Sequence, residues 1–160
     1  MSRSVGERRR GREYALQLLF QLDLAPEGTE EAVGAFWAGK KVVGPVQEFA
    51  EQIVRGTMCR RAAFDEVLAS SAFNWRVSRM PVVDRNILRM AIYEFLFQPD
   101  TPRVVVIDEA IEIAKKFGNE ESGPFINGIL DSIRIKLESG ELDLPAELAA
   151  AAAGQQRSIV

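Results

Sequence analysis

Four arginines, Arg8, Arg9, Arg10 and Arg12, stand close together near the N-terminus. Guanidinium groups are always charged, and they present planar donors that pair two at a time with phosphate oxygens. At the start of a helix, positive charges oppose the macrodipole by roughly 0.3–1 kcal/mol each, so helix stability does not explain them. The cluster therefore predicts contact with a polyanion such as RNA. A solvated basic arm, or one paired with acidic residues near the C-terminus, is the alternative.

A second candidate site is the polar turn between two amphipathic segments in the last third of the chain. Lys115 and Lys116 precede this turn, and Phe125 opens the segment that follows it. An exposed aromatic ring beside cationic residues can stack on an unpaired base, which is worth about 1–3 kcal/mol per base. The residues alone leave an alternative open, in which Phe125 packs inward and the two lysines are merely solvated.

The residue inventory excludes much of enzyme chemistry. The chain has no histidine and a single cysteine, so it offers neither a His-containing zinc site nor a Ser/His/Asp triad. Its carboxylates, such as Asp108 and Glu112, have the spacing of a wet helix face, and no Gly-rich segment matches a phosphate-binding loop. We therefore predict a protein that is not an enzyme and that has no cofactor or metal site.

Hydropathy and charge indicate where the protein acts. No apolar run approaches the ~20 residues that cross a bilayer, and the Arg-rich start lacks the apolar region of a secretory signal. We expect a cytoplasmic protein without a membrane partner. The formal net charge is −3, with basic residues at the N-terminal end and acidic residues between Glu138 and Glu147.

The elements that must position these residues are helical, because apolar side chains recur every three or four residues. Gly56 is expected to bend or divide the third of the predicted helices, and Gly118 to end the fifth in a left-handed conformation. The segment 81–97 is apolar around more than half of its circumference and should lie centrally, with Arg85 and Arg89 at its wet edge. The predicted helices, about seven when the third is divided, are 5–24, 29–39, 45–72, 81–97, 102–117 and 124–138.

We predict an all-α fold of two small packed helical bundles. The N-terminal subdomain is expected at 1–74 and the C-terminal subdomain at 75–139, with a hinge near Asn74. The acidic and Ala-rich segment 140–160 offers little apolar area to bury, so we expect a flexible tail.

Four stretches of the chain resemble the NusB family of bacterial transcription antitermination factors. They occur in the family's order and together span roughly residues 8 to 138. The stretches are RRRGREYALQ at 8–17, DRNILRMAIYE at 84–94, VIDEAIEIAKKFG at 106–118 and FINGILD at 125–131.

The resemblance implies RNA binding rather than catalysis. Members of the family bind the boxA element of nascent ribosomal RNA leaders together with NusE, a ribosomal protein of the small subunit. The complex joins other Nus factors on RNA polymerase and suppresses premature termination. A single-stranded, boxA-like RNA and NusE are therefore the expected partners of this chain.

The resemblance also assigns roles to residues. It implies phosphate contact by the arginine-rich first helix, an aromatic side chain near RNA at Phe20, and a second RNA-proximal patch from Glu121 to Phe125, where Phe125 stacks on a base. It places the contact with NusE on the predicted helix 81–97. The expected RNA-binding residues are Arg8, Arg9, Arg10, Arg12, Phe20, Lys115, Lys116, Glu121 and Phe125, and the expected partner-binding residues are Asp84, Arg85 and Arg89.

Three alternatives remain open at this point. NusB-like domains also occur with ribosomal RNA methyltransferase domains, although such an enzyme needs a further α/β domain that this sequence does not show. A helical adaptor that binds only protein would direct the arginine cluster at an acidic partner. The free protein could also associate with itself as a homodimer.

Overall fold

The computed structural model describes residues 4–42, 44–72 and 75–157, and all of its regular elements are helical. The all-α prediction is confirmed. Eight α-helices lie in the described residues where about seven were expected, because the Ala-rich segment also forms one. They are α1 Val5–Leu24, α2 Thr29–Trp37, α3 Gly44–Met58, α4 Arg61–Ser71, α5 Val82–Phe97, α6 Arg103–Phe117, α7 Ser122–Ser139 and α8 Ala146–Arg157, with a short 3-10 helix at Val77–Arg79.

The chain divides into two compact units, Met1–Cys59 and Arg60–Val160. This division differs from the boundary predicted after residue 74, because α4 packs against α5 and α7 and thus belongs to the second unit. The hinge predicted near Asn74 lies outside the described residues. Among the helices of the described ranges, none has the length and apolar character needed to cross a bilayer.

The first unit is built on α1, which packs against α2 and α3. Its first turn is closed by a capping box: Glu7 N donates to Ser4 Oγ at 3.1 Å, and Ser4 N donates to Glu7 Oε1 at 3.4 Å. Both bonds satisfy backbone N–H groups that the start of a helix leaves without partners. The cap therefore fixes the turn from which the arginines project.

Gly11 interrupts the arginine cluster for a packing reason. A Cβ atom at this position would lie 2.8 Å from Cδ2 of Phe49 and 3.4 Å from the carbonyl oxygen of Val46. Both neighbours belong to α3. Glycine thus allows α3 to approach α1 closely, directly beneath the basic residues.

Three aromatic side chains of the first unit form a cluster of edge-to-face contacts. The ring centroids of Tyr14 and Trp37 are 5.3 Å apart, and those of Phe36 and Trp37 are 4.9 Å apart. Lys40 lies over the Phe36 ring, with Nζ 3.9 Å from its centroid. Such edge-to-face pairs are favourable beyond the area they bury, so the cluster fixes α2 against α1.

The second unit is organised around α5, which contacts α4, α6, α7 and α8. Every residue of α5 from Asn86 to Leu96 is buried, as its nearly continuous apolar surface predicted. The prediction of a central helix at 81–97 is confirmed. The second unit thus depends on one buried helix that also carries several polar side chains.

Two glycine predictions are corrected by the structure. Gly56 lies within α3, and the break between α3 and α4 falls at Cys59 and Arg60 instead. Gly118 has a φ of −98°, which is not left-handed. Glycine is needed at position 118 because a Cβ atom there would lie 2.5 Å from Oγ of Ser122 and 2.9 Å from the carbonyl oxygen of Ala114.

The C-terminal segment contains α8, which packs against α5 and buries Leu148 completely. It follows a turn in which Gly140 adopts a φ of 75°, the left-handed conformation that glycine tolerates. Leu148 supplies the apolar contact that the alanines lack. The flexibility expected for 140–160 stays a prediction.

Candidate nucleic-acid interface

Three of the four clustered arginines form a basic face on the first turns of α1. Arg9 and Arg10 are exposed, and Arg8 is half-buried. Arg10 Nη2 donates to Tyr14 Oη at 3.4 Å, and its guanidinium carbon lies 5.9 Å from the Tyr14 ring centroid. The contact with Tyr14 orients one guanidinium group without neutralising it. This face, Arg8 to Arg10, can pair with phosphate oxygens.

Arg12 does not belong to this face. It is only 3% exposed, and its guanidinium carbon lies 5.5 Å from the Phe49 ring centroid. Position 12 falls on the stripe of α1 that includes Gly11 and Ala15 and that packs inside the first unit. A buried guanidinium over an aromatic face is a packing contact, so its position does not support the predicted phosphate contact.

Phe20 is the exposed aromatic ring of α1, with 40% of its surface accessible. Its neighbours Leu18, Leu19 and Leu22 are buried, so position 20 faces away from the core of the unit. The exposure agrees with the position near RNA that the resemblance implied. It does not by itself identify a ligand, because single exposed apolar side chains are common on protein surfaces.

The turn between α6 and α7 presents the second group of predicted residues. Lys115, Lys116 and Glu121 are exposed. Lys115 Nζ pairs with Glu112 Oε1 at 3.2 Å, and both side chains are largely accessible to water. Exposed pairs of this kind are weak, so Lys115 can exchange Glu112 for a phosphate at little cost. A depression of about 780 Å³ borders the turn and includes Lys115, Asn119 and Pro124 in its lining.

Phe125 is half-buried and packs against Trp75, an exposed residue that the sequence analysis missed. Their ring centroids are 5.5 Å apart with an interplanar angle of 67°, and Trp75 is 53% exposed. Phe125 is thus neither a core staple nor a freely projecting ring. The pair borders a cavity of about 100 Å³, called the aromatic cavity below, whose lining is Trp75, Pro81, Asp84, Asn119, Glu121 and Phe125.

Asp84 lies in the first turn of α5 and is only 4% exposed. Its Oδ1 accepts a hydrogen bond of 2.8 Å from Oγ of Ser122 in the first turn of α7. Burial raises the pKa of the Asp84 carboxyl, and the bond from Ser122 opposes that rise in part. The bond ties the starts of α5 and α7 together at the aromatic cavity.

Arg89 was expected at a wet edge, and that expectation is wrong because the side chain is buried. It is 3% exposed, and its Nε and Nη2 donate to Oδ1 and Oδ2 of Asp65 at 2.7 and 2.9 Å. Its Nη1 also donates to Asn86 Oδ1 at 3.1 Å. This bidentate pair fastens α5 to α4. Arg85 is half-buried, with Nη1 donating to the carbonyl oxygen of Ser78 at 3.3 Å.

The predicted residues therefore fall into two groups, one in each compact unit. The basic face and Phe20 lie in the first unit, and the lysines, Glu121 and Phe125 lie in the second. Within the described ranges, no three His, Cys, Asp or Glu side chains converge as a metal site would require. The predicted residues can pair with phosphate, stack on bases and form hydrogen bonds.

Comparison with known proteins identifies the family to which the chain is similar. The profile of the NusB family matches residues 9–134. The transcription antitermination protein NusB of Anaeromyxobacter dehalogenans is 48% identical over 130 residues, which are 81% of this chain and 91% of that protein. The protein of the same name from Myxococcus xanthus is 42% identical over 137 residues, covering 83% of this chain and 98% of the relative.

Solved structures agree on the fold. T. maritima NusB has a TM-score of 0.75 and 35% sequence identity, and the match covers 94% of this chain and 99% of that one. A crystal structure of the antitermination factors NusB and NusE with double-stranded RNA contains a chain with a TM-score of 0.73 and 24% identity, covering 81% and 97%. At that identity the likeness shows the fold alone.

Proposed function

The chain belongs to the NusB family, and from this we propose that it is an RNA-binding transcription antitermination factor that works together with NusE. The observation that carries the proposal is its 48% identity to a transcription antitermination protein over nine-tenths of that relative's length. The exposed basic face of α1 supplies the surface that such a role requires. RNA recognition is thus assigned to surface residues rather than to a catalytic centre.

The RNA that we propose is the boxA element of a nascent ribosomal RNA leader. The complex with NusE then joins other Nus factors on RNA polymerase and helps to suppress premature termination. Because bacterial transcription takes place in the cytoplasm, the protein acts there. We propose that it does so without catalysing a reaction of its own.

The two surfaces divide the work of binding. Phosphate contacts hold a single strand in register, whereas unpaired bases are recognised by stacking and by their edges. Arg8, Arg9 and Arg10 supply the first kind of contact, and Phe20 and Phe125 supply aromatic surface for the second. Three arginines give modest, salt-sensitive affinity by themselves. A partner such as NusE raises it by adding contacts along the same RNA.

The proposed contact with NusE centres on the N-terminal half of α5. Arg85 is the member of the predicted trio with side-chain surface available to a partner. Asp84 and Arg89 are buried, and they support this region through Ser122 and Asp65. We therefore propose Arg85 as the residue that contacts NusE and treat the other two as residues that position α5.

The test is a charge reversal, Arg9→Glu with Arg10→Glu, in binding titrations of a single-stranded boxA-like RNA with and without NusE. Lys41→Glu with Lys136→Glu is the control, since it changes net charge equally outside both surfaces. Loss of two phosphate contacts should weaken RNA binding and make the salt dependence shallower by about 1.4 in log–log slope. NusE binding should be unchanged.

Two results would contradict the proposal. If the reversal abolished NusE binding while RNA binding persisted, the arginines would serve a protein partner and the chain would be an adaptor. If adding NusE gave no gain in RNA affinity for the unmodified protein, joint binding would be wrong. A duplex of the same RNA, tested in parallel, separates single-strand recognition from general attraction to phosphate.

A further inference from the structure

Another cavity of the second unit lies between the end of α7 and α8. It is lined by residues 136 and 137 of α7, by the turn and loop that follow, and by three alanines of α8. The wall formed by α8 is held in place because α8 packs against α5 and Leu148 is fully buried. The family profile matches residues 9–134, so every lining residue of this C-terminal cavity lies beyond it.

The volume of the C-terminal cavity limits the size of a ligand. One water molecule takes about 30 Å³ in the liquid, so the cavity, at about 300 Å³, encloses on the order of ten non-hydrogen atoms. Ligand cavities in proteins begin near this volume. A nucleotide or a peptide would be enclosed only in part, whereas a single amino acid fits.

Aliphatic side chains form most of the walls. Leu137, Leu142 and Leu144 line the cavity together with the alanines of α8. Leu142 and Leu144 are half-buried, so they keep apolar surface that a ligand can cover. A sugar or a nucleobase would turn polar groups toward hydrocarbon without hydrogen-bond partners, which is unfavourable. The walls therefore fit an aliphatic group.

Two opposite charges line the same cavity. Lys136 is half-buried and Asp143 is exposed. Within the part of the chain that the structure describes, neither side chain forms an ion pair with the other or with a third residue. Lys136 can thus pair with a ligand's carboxylate, and Asp143 with an ammonium group, without giving up an existing partner. An anion alone would face Asp143, and a cation alone would face Lys136.

We propose that the C-terminal cavity binds one free aliphatic amino acid of the size of leucine. Its carboxylate pairs with Lys136, its ammonium group pairs with Asp143, and its side chain packs against the leucines of the walls. The inference does not depend on the proposed function, because the cavity shares no residue with the proposed RNA-binding residues. Since α8 supplies one wall, the bound amino acid also fastens α8 to the end of α7.

The first test titrates the full-length chain with leucine and follows the backbone amides by NMR. The signals from Gly140 to Leu144 should shift in a saturable manner, while those of α1 stay unchanged. Glycine carries the same two charges without a side chain. It should bind at least about tenfold more weakly, because the burial of the aliphatic group is lost.

Two analogues of leucine separate the two charges. Isocaproate is leucine without its amino group, and isoamylamine is leucine without its carboxylate. Each should bind about tenfold more weakly than leucine, which is the effect of one hydrogen bond to a charged group. A terminal leucine of a peptide carries only one of the two charges, so the same comparison distinguishes a free amino acid from the end of a peptide.

Substitutions in the protein should mirror the analogues. Lys136→Gln should weaken leucine binding about tenfold without weakening isoamylamine binding, because isoamylamine has no carboxylate that could lose its partner. Asp143→Asn should weaken leucine binding without weakening isocaproate binding. Lys41→Gln is the matched control, since Lys41 is exposed in the first unit.

A larger side chain in the wall should block the cavity. Ala152→Leu places apolar atoms where the ligand's side chain would lie, so it should abolish leucine binding. Ala150→Leu is the matched control, because Ala150 is exposed on α8 and does not line the cavity. Leucine is nearly as good a helix former as alanine, so circular dichroism should be the same for both variants.

Three results would overturn the inference. If leucine shifts no amide signal of the unmodified protein, the cavity is not an amino-acid site. If leucine, isocaproate and isoamylamine bind equally, the two charges do not select the ligand. If Ala152→Leu binds leucine as tightly as the unmodified protein does, the amino acid binds elsewhere. The comparison of ligands uses the unmodified protein, so it decides the question even where a substitution disturbs the fold.

Discussion

The basic face of α1 and the aromatic cavity of the second unit are built in different physical ways, and we propose that both contact RNA. The basic face consists of arginines on one helix, whose first turn is closed by a capping box and where Arg10 contacts Tyr14. The cavity is made by residues from several segments and depends on a buried bond between Asp84 and Ser122. Pairing between arginines and phosphates tolerates small movements of the side chains, whereas stacking and hydrogen bonding to a base do not. Affinity and selectivity should therefore respond to different substitutions.

The largest effect is expected for Asp65→Ala, which acts on the second unit alone. The substitution leaves the buried guanidinium of Arg89 without its bidentate partner, which typically costs about 3–5 kcal/mol. Urea unfolding followed by circular dichroism measures the loss. Asp108→Asn is the control at an exposed carboxylate. An unchanged midpoint would show that the ion pair does not hold α4 on α5.

Gly118→Ala should have the next largest effect, and it should separate base contacts from phosphate contacts. The added Cβ would collide with Ser122 and with the backbone at Ala114, at a cost of roughly 1–3 kcal/mol. Displacing Ser122 should also disturb the proposed base contact of Phe125 and weaken RNA binding, while the salt dependence of RNA binding is kept. Gly128→Ala is the control, because its Cβ meets no atom within 4 Å. That variant should be slightly more stable, and equal behaviour of the two would contradict the close-approach argument.

Ser4→Ala tests the basic face of the first unit. Removing an N-cap hydroxyl costs about 1 kcal/mol, and here it should loosen the first turn of α1. Hydrogen exchange of the amides from Glu7 to Arg10 should accelerate, with a small loss of RNA affinity and no change in base preference. A change in preference would mean that the two surfaces are not functionally separate.

The smallest effect concerns pH. Burial raises the pKa of Asp84 in the folded state, so its contribution to stability is fully present below the unfolded pKa, near 3.9, and is lost as pH rises through the folded pKa. The stability of the unmodified protein should thus fall relative to Asp84→Asn as pH increases from about 4. Urea unfolding of both proteins across this range measures the difference. A difference that stays constant would place the carboxyl in a water-like environment.

Periodicity was enough to predict the architecture, because the pattern of apolar residues is a property of each segment by itself. The central position of α5 followed from its apolar circumference, and the family followed from four motifs. The burial of Arg89 could not be predicted in this way, since its partner Asp65 lies 24 positions earlier on another helix. The burial of Arg12 could not be predicted for the same reason, since only the approach of Phe49 shows which side of α1 faces inward.

The candidate site was harder to predict than the fold. Phe125 was identified from its place in a motif, but Trp75 stands in a short irregular segment where no period marks it. Gly118 was predicted to end a helix in a left-handed conformation. The structure instead requires glycine at this position because a Cβ atom would collide with Ser122. Spacing along the chain reveals which residues share a helix face. It does not reveal which residues from distant segments enclose a cavity.

The fluorescence of the two tryptophans can show whether the two units unfold together. Trp37 is buried in the aromatic cluster of the first unit, whereas about half of the surface of Trp75, in the second unit, is accessible to water. Denaturation should therefore red-shift the emission of Trp37 and hardly change that of Trp75, so total fluorescence follows the first unit. Circular-dichroism ellipticity follows the helices of both units. Coincident curves from the two signals would mean that both halves melt in a single step, and a lag between them would reveal a half-folded molecule.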